Sequence, residues 1–173
     1  MNRRVIALFG VGGVVATVLP LCCQATPALV WNTTASAPVG LYLNRPDGRS
    51  VVGDWVLVRP PIALAASLAS AGFLPVGALL VKRIAALAPS IVCRAGLRID
   101  VDGRVAALAL ENDRFGRPLP RWRGCRRLGA SEVFLLNADP RSLDSRYFGP
   151  LSTHQIIGRA APLWINGASF DAR

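Results

Sequence analysis

Lysine is almost missing from this chain of 173 residues. The sequence has 20 basic residues, of which Lys82 is the single lysine and all the others are arginine. Histidine occurs once, as His154, and methionine once. The four cysteines form no CxxC pair and there is no histidine cluster, so the chain lacks the spacings of a zinc site. A Ser-His-Asp triad would have to use His154, which lies in the polar segment Leu151-Ser152-Thr153-His154-Gln155 with no nucleophile-elbow pattern. It reads as a solvated turn histidine. Acidic residues number only 10, leaving a net charge of +10. The arginines are scattered apart from Arg121-Trp122-Arg123-Gly124-Cys125-Arg126-Arg127, with no recognition helix, RNA-binding aromatic signature or zinc finger beside them. Nucleic acid is therefore not the expected partner. Anionic lipid headgroups, or a simple arginine bias, account for the charge. No repeat, linker or low-complexity block divides the chain.

The lone lysine has a chemical meaning as well as a compositional one. Arginine stays protonated in proteins and is a poor general base. A lysine ammonium gives up its proton when an apolar pocket desolvates it. Lys82 lies within Gly77-Ala78-Leu79-Leu80-Val81-Lys82-Arg83-Ile84-Ala85-Ala86-Leu87, which can supply that pocket. Arginine bias alone would also leave one lysine, so the chemical reading needs a partner for the amine.

The N-terminus bears on the compartment. After Met1-Asn2-Arg3-Arg4, the run Val5 to Cys23 is uncharged and apolar, close to the ~20 residues that span a bilayer as a helix. Arg3 and Arg4 precede it and the next positive charge is Arg45, which orients the N-terminus toward the cytoplasm. The expected organisation is a cytoplasmic stub and membrane anchor over 1–30 and one periplasmic domain over 31–173. A cleaved signal peptide ending near Ala25 or Ala28 is the competing reading.

The rest of the chain is large enough for one domain with a real core. Short runs bounded by turn residues predict strands at Leu41–Leu43, Trp55–Arg59, Leu79–Ala85, Ile91–Arg94, Leu97–Val101, Arg104–Leu108, Val133–Asn137 and Ile156–Ala160. Asp102-Gly103 is a two-residue hairpin signal between two of them. Ile62–Ala71, flanked by Pro61 and Gly72, predicts a short helix. The fold class is mainly β. Cys22 and Cys23 fall at the end of the apolar run. Cys93 and Cys125 fall in the domain assigned to an oxidising compartment, where a disulfide is the expected state and two unpaired thiols the alternative.

Four segments supply the partner for the lysine. They are Asn32-Thr33-Thr34-Ala35-Ser36-Ala37-Pro38-Val39-Gly40-Leu41-Tyr42, Gly53-Asp54-Trp55-Val56, Val81-Lys82-Arg83-Ile84 and Ser142-Leu143-Asp144-Ser145-Arg146-Tyr147-Phe148-Gly149. In order and spacing they resemble the type I signal peptidases: a serine after a membrane helix and before a proline, a Gly-Asp strand, a Lys-Arg pair, and a late Ser-x-Asp-Ser-Arg-Tyr-aromatic-Gly motif. The resemblance runs from about Asn32 to Trp164. Ser-x-Pro-x-Gly-Leu-Tyr, the compact size, Gly116-Arg117-Pro118-Leu119-Pro120 and Ile157-Gly158-Arg159 make it most similar to the TraF-like branch tied to conjugative transfer, which processes pilins. Two departures stand out. Ala37 replaces the usual methionine, and Asn137-Ala138-Asp139-Pro140 replaces Gly-Asp-Asn-Arg with one residue fewer.

The resemblance implies a signal-peptidase-like β catalytic domain with Ser36 as nucleophile and Lys82 as general base, and no metal or cofactor. It implies an oxyanion hole made by the Thr34 hydroxyl and the Ser36 N–H, a lysine-orienting Ser142, and an Asp144–Arg146 pair. Asp144 is either a structural partner of Arg146 or closer to the chemistry. The expected substrate is a secreted precursor, most similar to a conjugative pilin, cut at the outer face of the inner membrane and in some relatives cyclised. The alternative is a non-enzymatic envelope or conjugation assembly protein that keeps the β fold.

Overall fold

The computed structural model describes residues 26–46 and 48–166. Residues 1–25 of the expected stub and anchor, with Cys22 and Cys23, lie outside these residues, while Leu29 and Val30 of that expected unit belong to a strand. Among the described residues no helix is long and apolar enough to cross a membrane. Eleven strands dominate: β1 (Leu29–Asn32), β2 (Gly40–Arg45), β3 (Trp55–Val58), β4 (Leu80–Leu87), β5 (Ile91–Ala95), β6 (Arg98–Val101), β7 (Arg104–Leu108), β8 (Gly124–Arg127), β9 (Glu132–Leu135), β10 (Leu151–Ser152) and β11 (Ile156–Ile165). Among the described residues the α-helices that accompany them are short, α1 (Ile62–Ser70) and α2 (Ser145–Phe148). The mainly β class is as expected from the sequence. The sheet begins at Leu29, which pairs with Leu43.

Two antiparallel sheets form the body. The larger has the order β1-β2-β11-β3-β4-β9-β10, and the smaller β7-β6-β5-β8. Strand β11 is the hub of the larger sheet, because its ten residues are long enough to pair with β3 at one end and β2 at the other. Close approach of β2 and β11 depends on glycine. A Cβ on Gly158 would stand 1.9 Å from Asn44 Oδ1, and one on Gly40 would stand 2.1 Å from the Trp164 carbonyl oxygen. Neither position has room for a side chain.

Three apolar clusters hold the sheets together. Val56, Val58, Leu80, Ile84, Val133, Leu135 and Leu151 fill the space under β3, β4 and β9. Ala37, Tyr42, Leu57, Val81 and Ala160 form a second cluster, which anchors the residue after Ser36. Ala86, Val92, Ile99, Leu128, Phe134 and Leu136 join the two sheets, with the Trp122 ring edge-on to Phe134 at 6.0 Å. Burial of each large aliphatic side chain is worth about 1.5–3 kcal/mol, which is ample to set the register of strands this short.

The Asp102-Gly103 hairpin forms as its sequence predicts. Both residues have positive φ, 50° and 77°, as a two-residue turn between right-twisted strands requires. Strand β8 was not anticipated. Its residues Gly124-Cys125-Arg126-Arg127 are all exposed, so no apolar alternation marks them. They pair with β5 and bring Cys125 opposite Cys93, and the two are joined by a disulfide across a sequence separation of 32 residues. Closing a loop of that length stabilises the fold by roughly 3 kcal/mol through the unfolded state. The Cys93→Ser/Cys125→Ser protein should lose about that much unfolding free energy in a denaturant titration. A loss under about 1 kcal/mol would show that β8 is held by other contacts.

Candidate active site

The segment between β1 and β2 is short, polar and internally bonded. Asn32, at the end of β1, is buried and organises it. Its Nδ2 donates to the carbonyl oxygens of Thr34 (2.9 Å), Ala37 (3.1 Å) and Pro38 (3.0 Å). Its Oδ1 accepts from the Thr34 hydroxyl at 3.0 Å and the Thr34 N–H at 3.3 Å. The Tyr42 hydroxyl donates to the Pro38 carbonyl at 2.6 Å, and burial pushes its pKa up to about 12, so it remains a donor. This frame presents Ser36 half-buried between exposed Ala35 and buried Ala37. The Ser36 hydroxyl lies 3.3 Å from that of Thr34. With the Thr34 proton committed to Asn32, Ser36 is the donor of this pair.

Lys82 occupies the middle of β4. Leu80 and Ile84, two residues to either side, belong to the first apolar cluster, and strand alternation turns Lys82 onto the same face. Its side chain is 2 % exposed, and Nζ donates to the Ser142 hydroxyl at 2.9 Å. Among the described residues no carboxylate forms a salt bridge with it. Burial is the main cause that lowers its pKa from 10.5 to about 8, the Asp144 charge pushing it back up and the Arg146 charge pushing it down. The neighbouring Arg83 is different in kind: its side chain is exposed and its Nε donates to the Gly53 carbonyl at 2.8 Å. The Gly53-Asp54 turn is thereby tied to the lysine strand.

The late motif forms a buried ionic knot. Asp144 is the N-cap of α2, and its Oδ1 accepts from Arg146 Nε at 2.8 Å and from the Arg146 N–H at 3.2 Å. Arg146 Nη2 reaches Asp144 Oδ2 at 3.0 Å. Arg146 also donates to the carbonyls of Asn137 through Nη2 and of Leu108 through Nη1. Asp144 and Arg146 are 0 % and 1 % exposed. Asp144 contacts Lys82 through its field and not through a hydrogen bond, as a structural partner of Arg146 would.

Ser36 and Thr34, Lys82, and Ser142, Asp144 and Arg146 therefore come together from three segments. Ser36 and Lys82 share no direct hydrogen bond, because Ser36 pairs with Thr34 and Lys82 with Ser142. They are linked by Asn137, whose amide reaches the Ser36 carbonyl at 2.7 Å and the Val81 carbonyl at 3.1 Å. Asn137 and Asn32 were not singled out in the sequence. The one signal for Asn137 was its place in the segment that departs from the usual family pattern. His154 is exposed in a 3₁₀ turn, its N–H bonded to the Ser152 hydroxyl, as expected. A cavity of about 470 Å³ near Arg45, Leu87, Thr153 and Ile156 contains none of the site residues. No group of His, Cys, Asp and Glu side chains able to hold a metal occurs among the described residues.

The low lysine pKa has a thermodynamic consequence. Folded Lys82 releases its proton near pH 8, whereas in the unfolded chain it holds it to about 10.5, so the unfolded state binds more protons between those values. Stability contributed by this group therefore rises as pH increases from about 8 to about 10.5. The difference in unfolding free energy between the wild-type and Lys82→Met proteins should carry that slope. A flat difference across the window would show that Lys82 titrates as an exposed lysine.

Residues 1–165 match the family described as signal peptidase, peptidase S26. The chain is similar to two plasmid transfer proteins TraF of Escherichia coli. One is 35% identical over 165 residues, covering 89% of this chain and 92% of that protein. The other is 32% identical over 174 residues, covering 93% and 96%. A probable conjugal transfer protein TraF of Sinorhizobium fredii (strain NBRC 101917 / NGR234) is 37% identical over 140 residues, 75% of this chain and 73% of that one.

Proposed function

The chain belongs to the signal peptidase family, peptidase S26, and on that footing we propose that it is a serine endopeptidase working through a Ser36–Lys82 dyad. The observation that carries the reading is the state of Lys82. It is the only lysine of the sequence, it is buried, it has no carboxylate partner, and its one hydrogen bond is to Ser142. A pKa of about 8 leaves roughly one-tenth of it neutral at pH 7, enough for a general base.

In this mechanism a substrate peptide displaces the Ser36 hydroxyl from Thr34 toward Lys82. Ser36 Oγ attacks the scissile carbonyl as Lys82 Nζ takes its proton. Ser142 holds the resulting ammonium in place by accepting a hydrogen bond. The Ser36 N–H and the Thr34 hydroxyl receive the oxyanion, Thr34 turning its proton away from Asn32 as the charge develops. The carbon–nitrogen bond breaks, Lys82 returns the proton to the departing amine, and an ester on Ser36 remains. Water activated by Lys82 then completes hydrolysis.

The relatives carry the words plasmid transfer and conjugal transfer. Together with the apolar run near the N-terminus, they support a wider reading. The protein is a single-pass inner-membrane enzyme with its stub and anchor in the segment before β1 and the catalytic domain in the periplasm, and its substrate is a conjugative pilin precursor. An amine in place of water as acceptor would release a cyclised product from the same ester.

Ser36→Ala and Lys82→Arg should each abolish precursor maturation with normal protein level, because the arginine keeps the charge and removes the titratable base. In the wild type the maximal rate should rise about tenfold per pH unit and level off above about 8. Normal maturation by Lys82→Arg would leave the non-enzymatic assembly role as the better reading.

Thr34→Val keeps the branched shape and removes the hydroxyl. It should lower the maximal rate by ~100-fold or more with little change in substrate affinity, and Thr34→Ser should restore much of it. Near-normal single-turnover rates in Thr34→Val would remove Thr34 from the oxyanion hole.

A further inference from the structure

We propose that Asn137 is a positioning residue of the Ser36–Lys82 site, holding the nucleophile's backbone against the lysine strand from a point just past the end of β9. The proposal rests on the Ser/Lys reading above and adds to it a residue that neither the family motif nor the lysine chemistry identifies.

Strand β9 ends at Leu135, and Leu136 makes one more ladder bond, its N–H donating to the Arg83 carbonyl at 3.0 Å. At Asn137 the side chain takes over from the backbone. Oδ1 accepts from the Arg83 N–H at 3.0 Å, and Nδ2 donates to the Val81 carbonyl at 3.1 Å. The amide thus brackets Lys82 from the residue before it and the residue after it. The second Nδ2 hydrogen goes to the Ser36 carbonyl at 2.7 Å, a contact between residues 101 apart in sequence. The Asn137 main chain is held as firmly. Its N–H donates to Asp144 Oδ2 at 3.0 Å, and its carbonyl accepts from Arg146.

The chemistry of the position admits asparagine and little else. Two carbonyl oxygens and one N–H converge on it, which calls for two donors and one acceptor on a planar group of this length. The same three partners fix which end of the amide is nitrogen. Aspartate would add an acceptor where two carbonyls already point, and alanine would leave three groups without a partner in a residue only 4 % exposed. The ionic knot of Asp144 and Arg146 reaches Ser36 through this amide. Displacement of a nucleophile by about 1 Å costs on the order of 100-fold in rate, so the amide controls reactivity without touching the reacting atoms.

The test is acylation of the full-length protein in detergent by a β-lactam probe, with the Ser36 adduct followed by intact-mass spectrometry. Ser36→Ala and Lys82→Arg are run in parallel. Asn137→Ala should lower the maximal acylation rate by ~10–100-fold, with the half-saturating probe concentration within about twofold and the final labelled fraction unchanged. The midpoint of the rate–pH profile should stay in place, because Lys82 remains buried. Asn137→Asp, which is isosteric and keeps the acceptor for Arg83, should be at least as slow and covers the case in which the alanine protein does not fold. A purely structural role would lower the labelled fraction and leave the rate constant alone, and that result overturns the proposal. So does a folded variant that acylates at the wild-type rate. Wild-type labelling of Lys82→Arg would instead overturn the dyad itself, and the proposal with it.

Discussion

The geometry of the site depends on one buried ion pair, Asp144 with Arg146. Removing two charges from water is costly, and the attraction between them offsets that cost only when the remaining donors and acceptors are also satisfied. Here they are. Asp144 accepts from Arg146 and from the Asn137 N–H, while Arg146 donates to Asp144, Asn137 and Leu108. A pair of this kind tolerates few alternative arrangements, since any shift strands a charge. The pair thus ties Asn137 to the start of α2, and Ser142 between them accepts a hydrogen bond from Lys82 at 2.9 Å.

The same pair acts on the lysine electrostatically. Burial lowers the Lys82 pKa most, Asp144 raises it and Arg146 lowers it, so the two charges of the pair act on the lysine in opposite directions and burial decides the outcome. An isolated carboxylate at this depth would hold Lys82 protonated and useless as a base. Pairing Asp144 with an adjacent arginine permits a buried acidic residue near a lysine whose pKa is lowered by burial. This accounts for a late motif with aspartate and arginine two residues apart, where one guanidinium can grip both carboxylate oxygens.

The smaller sheet is coupled to this arrangement. Arg94 follows the disulfide residue Cys93 on β5, is buried, and donates to the Arg146 carbonyl. On the same side, Trp122 Nε1 donates to the Ser145 carbonyl at 3.0 Å. The disulfide-bearing sheet and the larger, lysine-bearing sheet thus meet at α2. Ser36 comes from the opposite end of the larger sheet, where Asn32 and Tyr42 shape the segment between β1 and β2. Two separately braced halves are brought together at Asn137.

Much of this was legible in the chain alone. The lone lysine in an apolar run, the serine before a proline, and the Ser-x-Asp-Ser-Arg motif are local patterns, and short apolar runs bounded by turn residues marked central strands of the larger sheet such as β3 and β9, which are buried along most of their length. The Asp102-Gly103 hairpin was readable because positive φ at both positions restricts the residue types. Strand β8 was not, since its four residues are exposed and only its partner β5 makes it a strand. Nor were Asn32 and Asn137, because an asparagine's role depends on which backbone groups face it, and those come from remote parts of the chain. Composition and spacing determined which chemical groups this protein has available and in what order. Tertiary structure alone decided that Lys82 is desolvated, that Asp144 is spent on Arg146, and that one amide spans from Ser36 to the lysine strand, because burial and hydrogen-bond complementarity arise only when distant segments are packed against each other.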